Sequence, residues 1–459
     1  MLNPVQLQKF DHVMAQLAQP ILPRHTGRLV ASDGILLEAS GFPYPIGMQA
    51  QISAQGSDPT LVELIGFRGA RAQLARLSGP HTLTIGAAVI PRHCTSDVAC
   101  GDAFLGRFIG ALGQPLDEHP LPAVHDSWPL AGTPLPPLSR ASVSQPFDCG
   151  VRAINALLTL GVGQRAAIIA GSGVGKSVLM GQILAGAIAP HASAQGSVDR
   201  IVIGLIGERG REIRDFLDKC LPPDVRSKTV VVASPADEPA LLRLRAAHRA
   251  TAIAEHFRSQ GHHVLLLIDS LTRVAHAQRE IGLALGEPPA MKAYPPSVFA
   301  AIPALVERAG CDANSGGAIT ALYTVLADGD DVQDPVVDAV RAIVDGHIVL
   351  SRTLAEAQVY PAIDIGQSIS RVMHDIVSDA HASSAAQFRA AWSCYAENRD
   401  LVLMGAWQAG VDATLDAAIS ARPAMLDFMR QSPKDISALA DSVSELQRNF
   451  QPQSQTMRA

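Results

Sequence analysis

The residues best suited to chemistry stand together in Ala170-Gly171-Ser172-Gly173-Val174-Gly175-Lys176-Ser177. A strand-like apolar run, Arg165 to Ala170, leads into them, and a helix-like run opens at Val178. Glycines at this spacing let successive backbone N–H groups turn toward one point, which cradles phosphate oxygens. The helix N-terminus that follows adds positive potential. Lys176 is placed to contact β- and γ-phosphates, and the Ser177 hydroxyl to bind Mg²⁺. Gly171, Ser172, Gly173, Val174, Gly175 and Val178 complete the predicted nucleotide-binding set. Ala170 stands where the pattern's first glycine usually falls, at a strand end whose negative φ alanine tolerates.

Three further segments could complete such a site. Val264-Leu265-Leu266-Leu267-Ile268-Asp269 is a buried-strand pattern ending in a carboxylate. That places Asp269 in the crevice beyond the carboxyl ends of the strands, able to hold Mg²⁺ through a water. A second strand pattern, Ile201 to Ile206, delivers Gly207-Glu208-Arg209-Gly210-Arg211-Glu212. A carboxylate there can polarise a water that attacks the γ-phosphate. Glu208 is assigned that role, and Glu212, a turn into the next helix, is expected to pair with Arg209 or Arg211. The third segment runs from Tyr360-Pro361 to Ser370-Arg371. Tyr360 either belongs to the core or offers its ring face to a purine. Arg371 either makes a surface salt bridge or acts as an arginine finger, for which its planar, permanently charged fork suits it.

Strands alternating with helices must position these groups. Arg165 to Ala170, Arg200 to Ile206, Thr229 to Ala233, Val264 to Ile268, Ile319 to Leu326 and Gly346 to Leu350 read as strands of a mainly parallel sheet. Ahead of them, six short β-type runs between Arg28 and Ile90, the last of them Thr82 to Ile90, suggest a small barrel, with Ser32-Asp33-Gly34 as a hairpin turn. The proline-rich stretch 117–147 is either a free linker or an ordered extended segment wrapping a domain. Beyond about residue 375 the pattern is helical: Ser384 to Gly405, with Ser384 and Gln387 as a capping box, then Asp412 to Gln431, then Lys434 to Phe450. Residues 3–19 read as one amphipathic helix, with Asn3 as cap and Pro20 as stop. A helix of that length needs a partner surface, on its own domain or on another protein.

Composition sets the outer bounds. The chain has 459 residues, 47% hydrophobic and 17% charged, which excludes a disordered chain. At ~150 residues per domain this length suggests two to four domains. A net charge of −6 and only 4% aromatic residues argue against nucleic acid as the main partner. Six cysteines, none in a CxxC spacing, read as buried reduced thiols of a cytosolic chain. The first twenty residues lack the basic and apolar regions of a signal peptide, and the purest apolar run, Val264 to Ile268, is far too short to span a bilayer.

Read together, AGSGVGKS, GLIGERGRE, HVLLLIDSLTRVAHAQREIGLALGEPP, YPPSVFAAIPALVERAG, DAVRAIVDGHIVLSR and YPAIDIGQSISRVM resemble type III protein export ATPases, most of all the flagellar export ATPase. These are relatives of the rotary ATP synthase catalytic subunit. The likeness spans roughly residues 25–450 and is densest from 148 to 375. It implies an α/β chain with a RecA-like P-loop ATPase domain, an N-terminal small β-barrel and a C-terminal helical domain. The implied boundaries are a partner-binding helix at 1–24, a barrel at 25–93, the ATPase domain at 94–375 and the helical domain at 376–459. Carried over residue by residue, it makes Lys176 the phosphate-binding lysine, Ser177 and Asp269 the Mg²⁺-side residues and Glu208 the catalytic glutamate. Tyr360 becomes the adenine-stacking aromatic, and Arg371 a finger acting on a neighbour's ATP.

The resemblance further implies a homohexameric ring whose cofactors are ATP and Mg²⁺. Implied partners are a stator-like regulatory protein at the N-terminal helix, an export gate, and export chaperones with their substrates. It places the chain in the cytoplasm, peripheral to the inner membrane. An injectisome ATPase is the alternative within the family; a rotary synthase subunit is disfavoured by QSISRVM, and an RNA helicase by the acidic charge and scarce aromatics.

Overall fold

The computed structural model describes residues 25–53, 58–79, 83–94, 96–124, 126–189, 196–327 and 334–450. The helix expected at residues 3–19 lies outside them. Two compact units divide between Thr95 and Ser96. In the first, β1 (Gly27–Ser32), β2 (Leu36–Ser40), β3 (Met48–Ile52), β4 (Thr60–Arg68), β5 (Arg71–Ser78) and β6 (Ala88–Cys94) close into a barrel ordered β1-β2-β5-β4-β3-β6. Alternating residues such as Leu37, Ile52, Val62, Leu64 and Leu74 fill its interior. The expected strand Thr82 to Ile90 starts later than predicted. Gly86 takes a positive φ, and Ala87 N–H donates to Thr84 O, so this stretch turns before β6 begins.

The second unit is built on a sheet whose main path joins β7 (Phe108–Gly110), β8 (Arg165–Ala170), β9 (Arg200–Ile206), β10 (Thr229–Ser234), β11 (His263–Asp269), β12 (Ala318–Leu326), β13 (Gly346–Leu350) and β14 (Ile363–Ser370). Their spatial order is β14-β13-β8-β12-β11-β9-β10-β7. All neighbours on this path are parallel except β13 and β14. Both faces are covered, so β8 to β12 are almost uniformly apolar and buried, as parallel strands must be. Helices α1 (Lys176–Ala187), α2 (Gly210–Cys220), α3 (Ala240–Ser259) and α4 (Leu271–Ala284) follow β8, β9, β10 and β11.

Three helices end the unit: α5 (Asp379–Leu403), α6 (Ala413–Met429) and α7 (Leu439–Asn449). They share one hydrophobic cluster with the sheet, through Phe388, Trp392, Phe428 and Phe450. The capping box expected at Ser384 and Gln387 is not used. Ser378 caps α5 instead, its Oγ accepting from His381 N at 3.4 Å, so Ser384 falls inside the helix and is buried. The last helix also starts later than the predicted Lys434. The residues before Leu439 spend their backbone groups elsewhere: Ser437 N–H donates to Gly150 O, and Gln182 donates to the Ser432 and Asp435 carbonyls. Asp148, at 2.8 Å from Leu439 N, then caps α7. Among the described residues, no helix is long and apolar enough to cross a membrane.

Of the two readings of 117–147, the structure shows the ordered one. Ser127–Pro129 pairs with Asp97–Ala99, Arg140–Ala141 with Gly310–Asp312, and Pro146–Phe147 with Leu160–Gly161. Trp128 Nε1 donates to Glu255 Oε2 at 3.0 Å. Glu255 is wholly buried on α3 and is gripped at both oxygens by Arg308, at 3.0 and 2.7 Å. Arg308→Met would strand that carboxylate without its cation. Unfolding in urea should show the second unit destabilised by about 3–5 kcal/mol, and Glu255→Leu added to Arg308→Met should recover most of it.

Candidate functional site

The site forms where strands of the sheet end side by side. β8 ends at Ala170, and the chain turns through Gly173 and Gly175, whose φ values are 80° and 98°. A Cβ at either position would strain the backbone. Val174, buried, anchors the loop, and Gly175 is the N-cap of α1. Lys176 and Ser177 therefore occupy the first helical turn, where unpaired N–H groups and the helix dipole favour an anion. Ser177 and Val178 are solvent-exposed.

Lys176 Nζ lies 2.5 Å from Asp269 Oδ1 and 3.9 Å from Glu208 Oε1. Asp269 is at the end of β11, beside β9, with Leu205 and Asp269 in register. The next turn of β9's chain brings in Glu208 through Gly207, at φ 67°. A Cβ on Gly207 would come within 2.8 Å of the Arg273 side chain, so only glycine lets the chain pass there. Burial, first, and then the negative charge of Asp269 push the Glu208 carboxyl up to about 7, with Lys176 and Arg273 acting in the opposite direction and a hydrogen bond from the protonated Glu208 to Glu212 adding to the rise. Glu208 Oε1 is buried with no hydrogen-bond partner. Glu212, more than half exposed, also lies 3.9 Å from Arg209, the pairing expected from its spacing. The buried carboxylate of the two is Glu208.

Oxygen donors of this kind suit a hard cation. Ser177 offers a hydroxyl, Asp269 a carboxylate on a strand end, and Glu208 an orphaned carboxylate oxygen beside them. Such a set, with phosphates completing the shell, fits Mg²⁺.

Tyr360 borders the phosphate loop. A Cβ built on Gly175 would lie 3.5 Å from Tyr360 Cε1, and the ring stays 36% exposed, leaving a face for a ligand. Arg371 does not join the cluster. Register pairs Ser370 with Gly346, and Gly346 with Ala166, so Arg371 stands at the opening end of β8 while the phosphate loop leaves its closing end. About 3.3 Å per residue over that strand makes a separation of roughly 15–20 Å. There Arg371 is exposed, its backbone N–H donating to Asp345 O at 2.9 Å and Nη2 to Arg341 O at 3.2 Å.

Three residues that sequence reasoning missed belong here. Thr324 Oγ1 donates to Asp269 Oδ1 at 2.5 Å from the adjacent strand β12. Arg273 faces Glu208 from the first turn of α4. Arg352 Nη2 reaches Ser172 O at 3.4 Å. A hydroxyl inside the apolar run ALYTVL, and an arginine one helical turn past Asp269, were the available signals.

Known proteins resemble the chain over nearly its whole length. The nucleotide-binding domain model of the ATP synthase alpha/beta family matches residues 150–370, and the T3SS EscN ATPase C-terminal domain model matches residues 377–448. The flagellum-specific ATP synthase of Pseudomonas aeruginosa is 46% identical over 444 residues, covering 96% of each chain. That of Salmonella typhimurium is 47% identical, covering 97% of this chain and 98% of its own. The type 3 secretion system ATPase of Pseudomonas syringae pv. tomato is 39% identical, with the same coverage of 97% and 98%. Among solved structures, the assembled ATPase EscN from the enteropathogenic E. coli type III secretion system gives a TM-score of 0.86 at 42% identity, over 92% of this chain and 100% of that one. EscN in complex with its central stalk EscO gives 0.82 at 41% identity, over 92% of this chain and 100% of that one.

The carboxyl of Glu208 should titrate in the neutral range. Carbon NMR of glutamate-labelled protein should show one carboxyl that is neutral below about pH 7 and ionises above it, absent in Glu208→Gln. Asp269→Asn removes a repelling charge and frees Lys176, so the same resonance should move toward the ordinary carboxylate range. An unmoved midpoint would contradict the assigned cause.

Proposed function

This chain belongs to the family that unites flagellum-specific ATP synthases with type 3 secretion system ATPases, and we propose that it is the ATP-hydrolysing motor subunit of a flagellar protein export apparatus. The observation that carries the reading is the cluster of Lys176, Asp269 and a neutral-range Glu208 at the mouth of a phosphate-binding loop. Over more than nine-tenths of the chain, identity reaches 47% with a flagellum-specific ATP synthase and 42% with a type III secretion ATPase, which favours the flagellar branch.

The residues divide the work of phosphoryl transfer. The loop N–H groups of 171–177 and Lys176 hold the β- and γ-phosphates. Mg²⁺, when bound, neutralises phosphate charge, and Ser177 and Asp269 are the residues that would hold it. Glu208 in its ionised form orients a water and accepts its proton as the water oxygen bonds to the γ-phosphorus and the bond to the β–γ bridging oxygen breaks. ADP and phosphate leave. Tyr360 stacks on the adenine. Arg371, a strand's length from its own phosphate loop, serves the nucleotide of a neighbouring copy, where its fork offsets charge in the transition state.

That division requires a ring, and a homohexamer with ATP between neighbours satisfies it. On this reading residues 1–24 bind a stator-like regulator, 25–93 form the barrel, 94–375 the ATPase domain and 376–459 a helical domain facing export gate, chaperones and substrates. The ring works in the cytoplasm, peripheral to the inner membrane. EscN, similar throughout, is known assembled and with a central stalk, which supports both a ring and an axial partner here.

Glu208→Gln should bind ATP with near-native affinity and lose turnover at least a hundredfold, by equilibrium binding and phosphate release. Specific activity should rise cooperatively with protein concentration. Lys176→Ala and Arg371→Ala, each inactive alone, should regain activity when mixed, because an intact finger then meets an intact loop across an interface. Failure of the mixture, with both variants assembled, would remove Arg371 from the neighbour's site.

A further inference from the structure

The segment between α6 and α7 is tied to the nucleotide site more closely than a linker needs to be. Gln431 sits at its start, 7% exposed. Its backbone N–H donates to Tyr360 O at 2.8 Å. Its side chain is fully engaged: Oε1 accepts from Arg152 N at 2.7 Å, and Nε2 donates to Gly150 O and Asp435 O, both at 2.9 Å. A second glutamine grips the same segment from the phosphate-loop helix, Gln182 Nε2 reaching Ser432 O at 3.0 Å and Asp435 O at 3.3 Å. The Arg152 guanidinium adds Nη2 to Arg430 O at 2.8 Å and an ion pair to Glu445 at 2.6 Å.

These bonds have a direction. Gly150 and Arg152 precede β8, Gln182 belongs to α1, and Tyr360 lies against Gly175 at the head of α1. Segment 431–435 thus joins the phosphate-loop helix, through Gln182, to the Tyr360 turn, through the Gln431 backbone N–H. The Tyr360 ring itself is only partly buried, so its place is set by its backbone. We propose that Gln431 is a positioning residue for nucleobase recognition: it fixes the Tyr360 backbone so that the ring stands at a set height beside the phosphate loop, and thereby makes the site select a purine nucleotide rather than a bare triphosphate. The proposal rests on the stacking role given to Tyr360. Gln431 touches neither phosphate nor reacting atoms, so its loss is felt in binding of the base.

The test is steady-state kinetics on full-length Gln431→Ala, Tyr360→Ala and the double variant, with inorganic tripolyphosphate as a base-free competitor. Gln431→Ala should raise KM for ATP about tenfold, the loss falling on KM rather than kcat, while inhibition by tripolyphosphate stays within twofold of native. The double variant should be no worse than Tyr360→Ala, since the Gln431 side chain, by holding its own backbone against Gly150 and Arg152, acts only through where the Tyr360 ring stands. Gln182→Ala, which loosens the same segment from the other side, should move KM in the same direction by about threefold and keeps the test open if Gln431→Ala folds poorly. Weakening of tripolyphosphate and ATP by the same factor, or additive losses in the double variant, would overturn the positioning role. A native KM in Tyr360→Ala would overturn the stacking reading itself. A raised KM in Tyr360→Ala beside native values in Gln431→Ala and Gln182→Ala would overturn only the role of Gln431.

Discussion

One ammonium group between two carboxylates organises the site. Lys176 Nζ, on the first turn of α1, lies 2.5 Å from Asp269 at the end of β11 and 3.9 Å from Glu208 just beyond β9. Charges taken out of water at that depth are costly unless paired. Here there is one cation for two acids, and burial, followed by the charge of the second acid, pushes the Glu208 carboxyl into the neutral range. A group poised there can hold and release a proton near neutral pH, which a carboxylate at its ordinary value does poorly.

The sheet exists to hold that cluster still. β8, β12, β11 and β9 are neighbours in the order that lines up the phosphate loop, Thr324, Asp269 and Glu208 along one edge. Their faces are almost uniformly apolar, so a slip of register would misplace the few polar groups, Thr324 among them, and is resisted by every strand at once. The proline-rich strap and the buried Glu255–Arg308 pair lock the outer helix α3 onto the same sheet. The link between α6 and α7 does the corresponding work on the base side, where its polar groups are spent on Gly150, Gln182 and Tyr360 rather than on another helical turn.

The position of Arg371 follows from strand direction alone. β14 runs antiparallel to β13, so a residue just beyond its end returns to the edge of the sheet farthest from the phosphate loop. Had β14 been parallel, the same residue would stand beside its own nucleotide. Antiparallel closure of the sheet is what carries this arginine away from the phosphate loop of its own chain.

Much of this was legible in the amino-acid order because it depends on local rules. Glycine spacing, a lysine and serine opening a helix, and apolar runs ending in acids are set by backbone freedom and by the need of parallel strands to be buried on both sides. The barrel strands and the six main sheet strands were readable for the same reason. What only the tertiary structure decided are relations between distant segments. That Thr324 braces Asp269, that Glu208 rather than Glu212 is the buried acid, and that Ser378 rather than Ser384 caps α5 depend on which surfaces meet. The strand at Ile363–Ser370 hid inside a motif, its burial pattern broken by three exposed residues, Gly366, Gln367 and Ile369. Gln431 carried no local signal, since three of its four hydrogen-bond partners, Gly150, Arg152 and Tyr360, are far away in the chain and become neighbours only on folding.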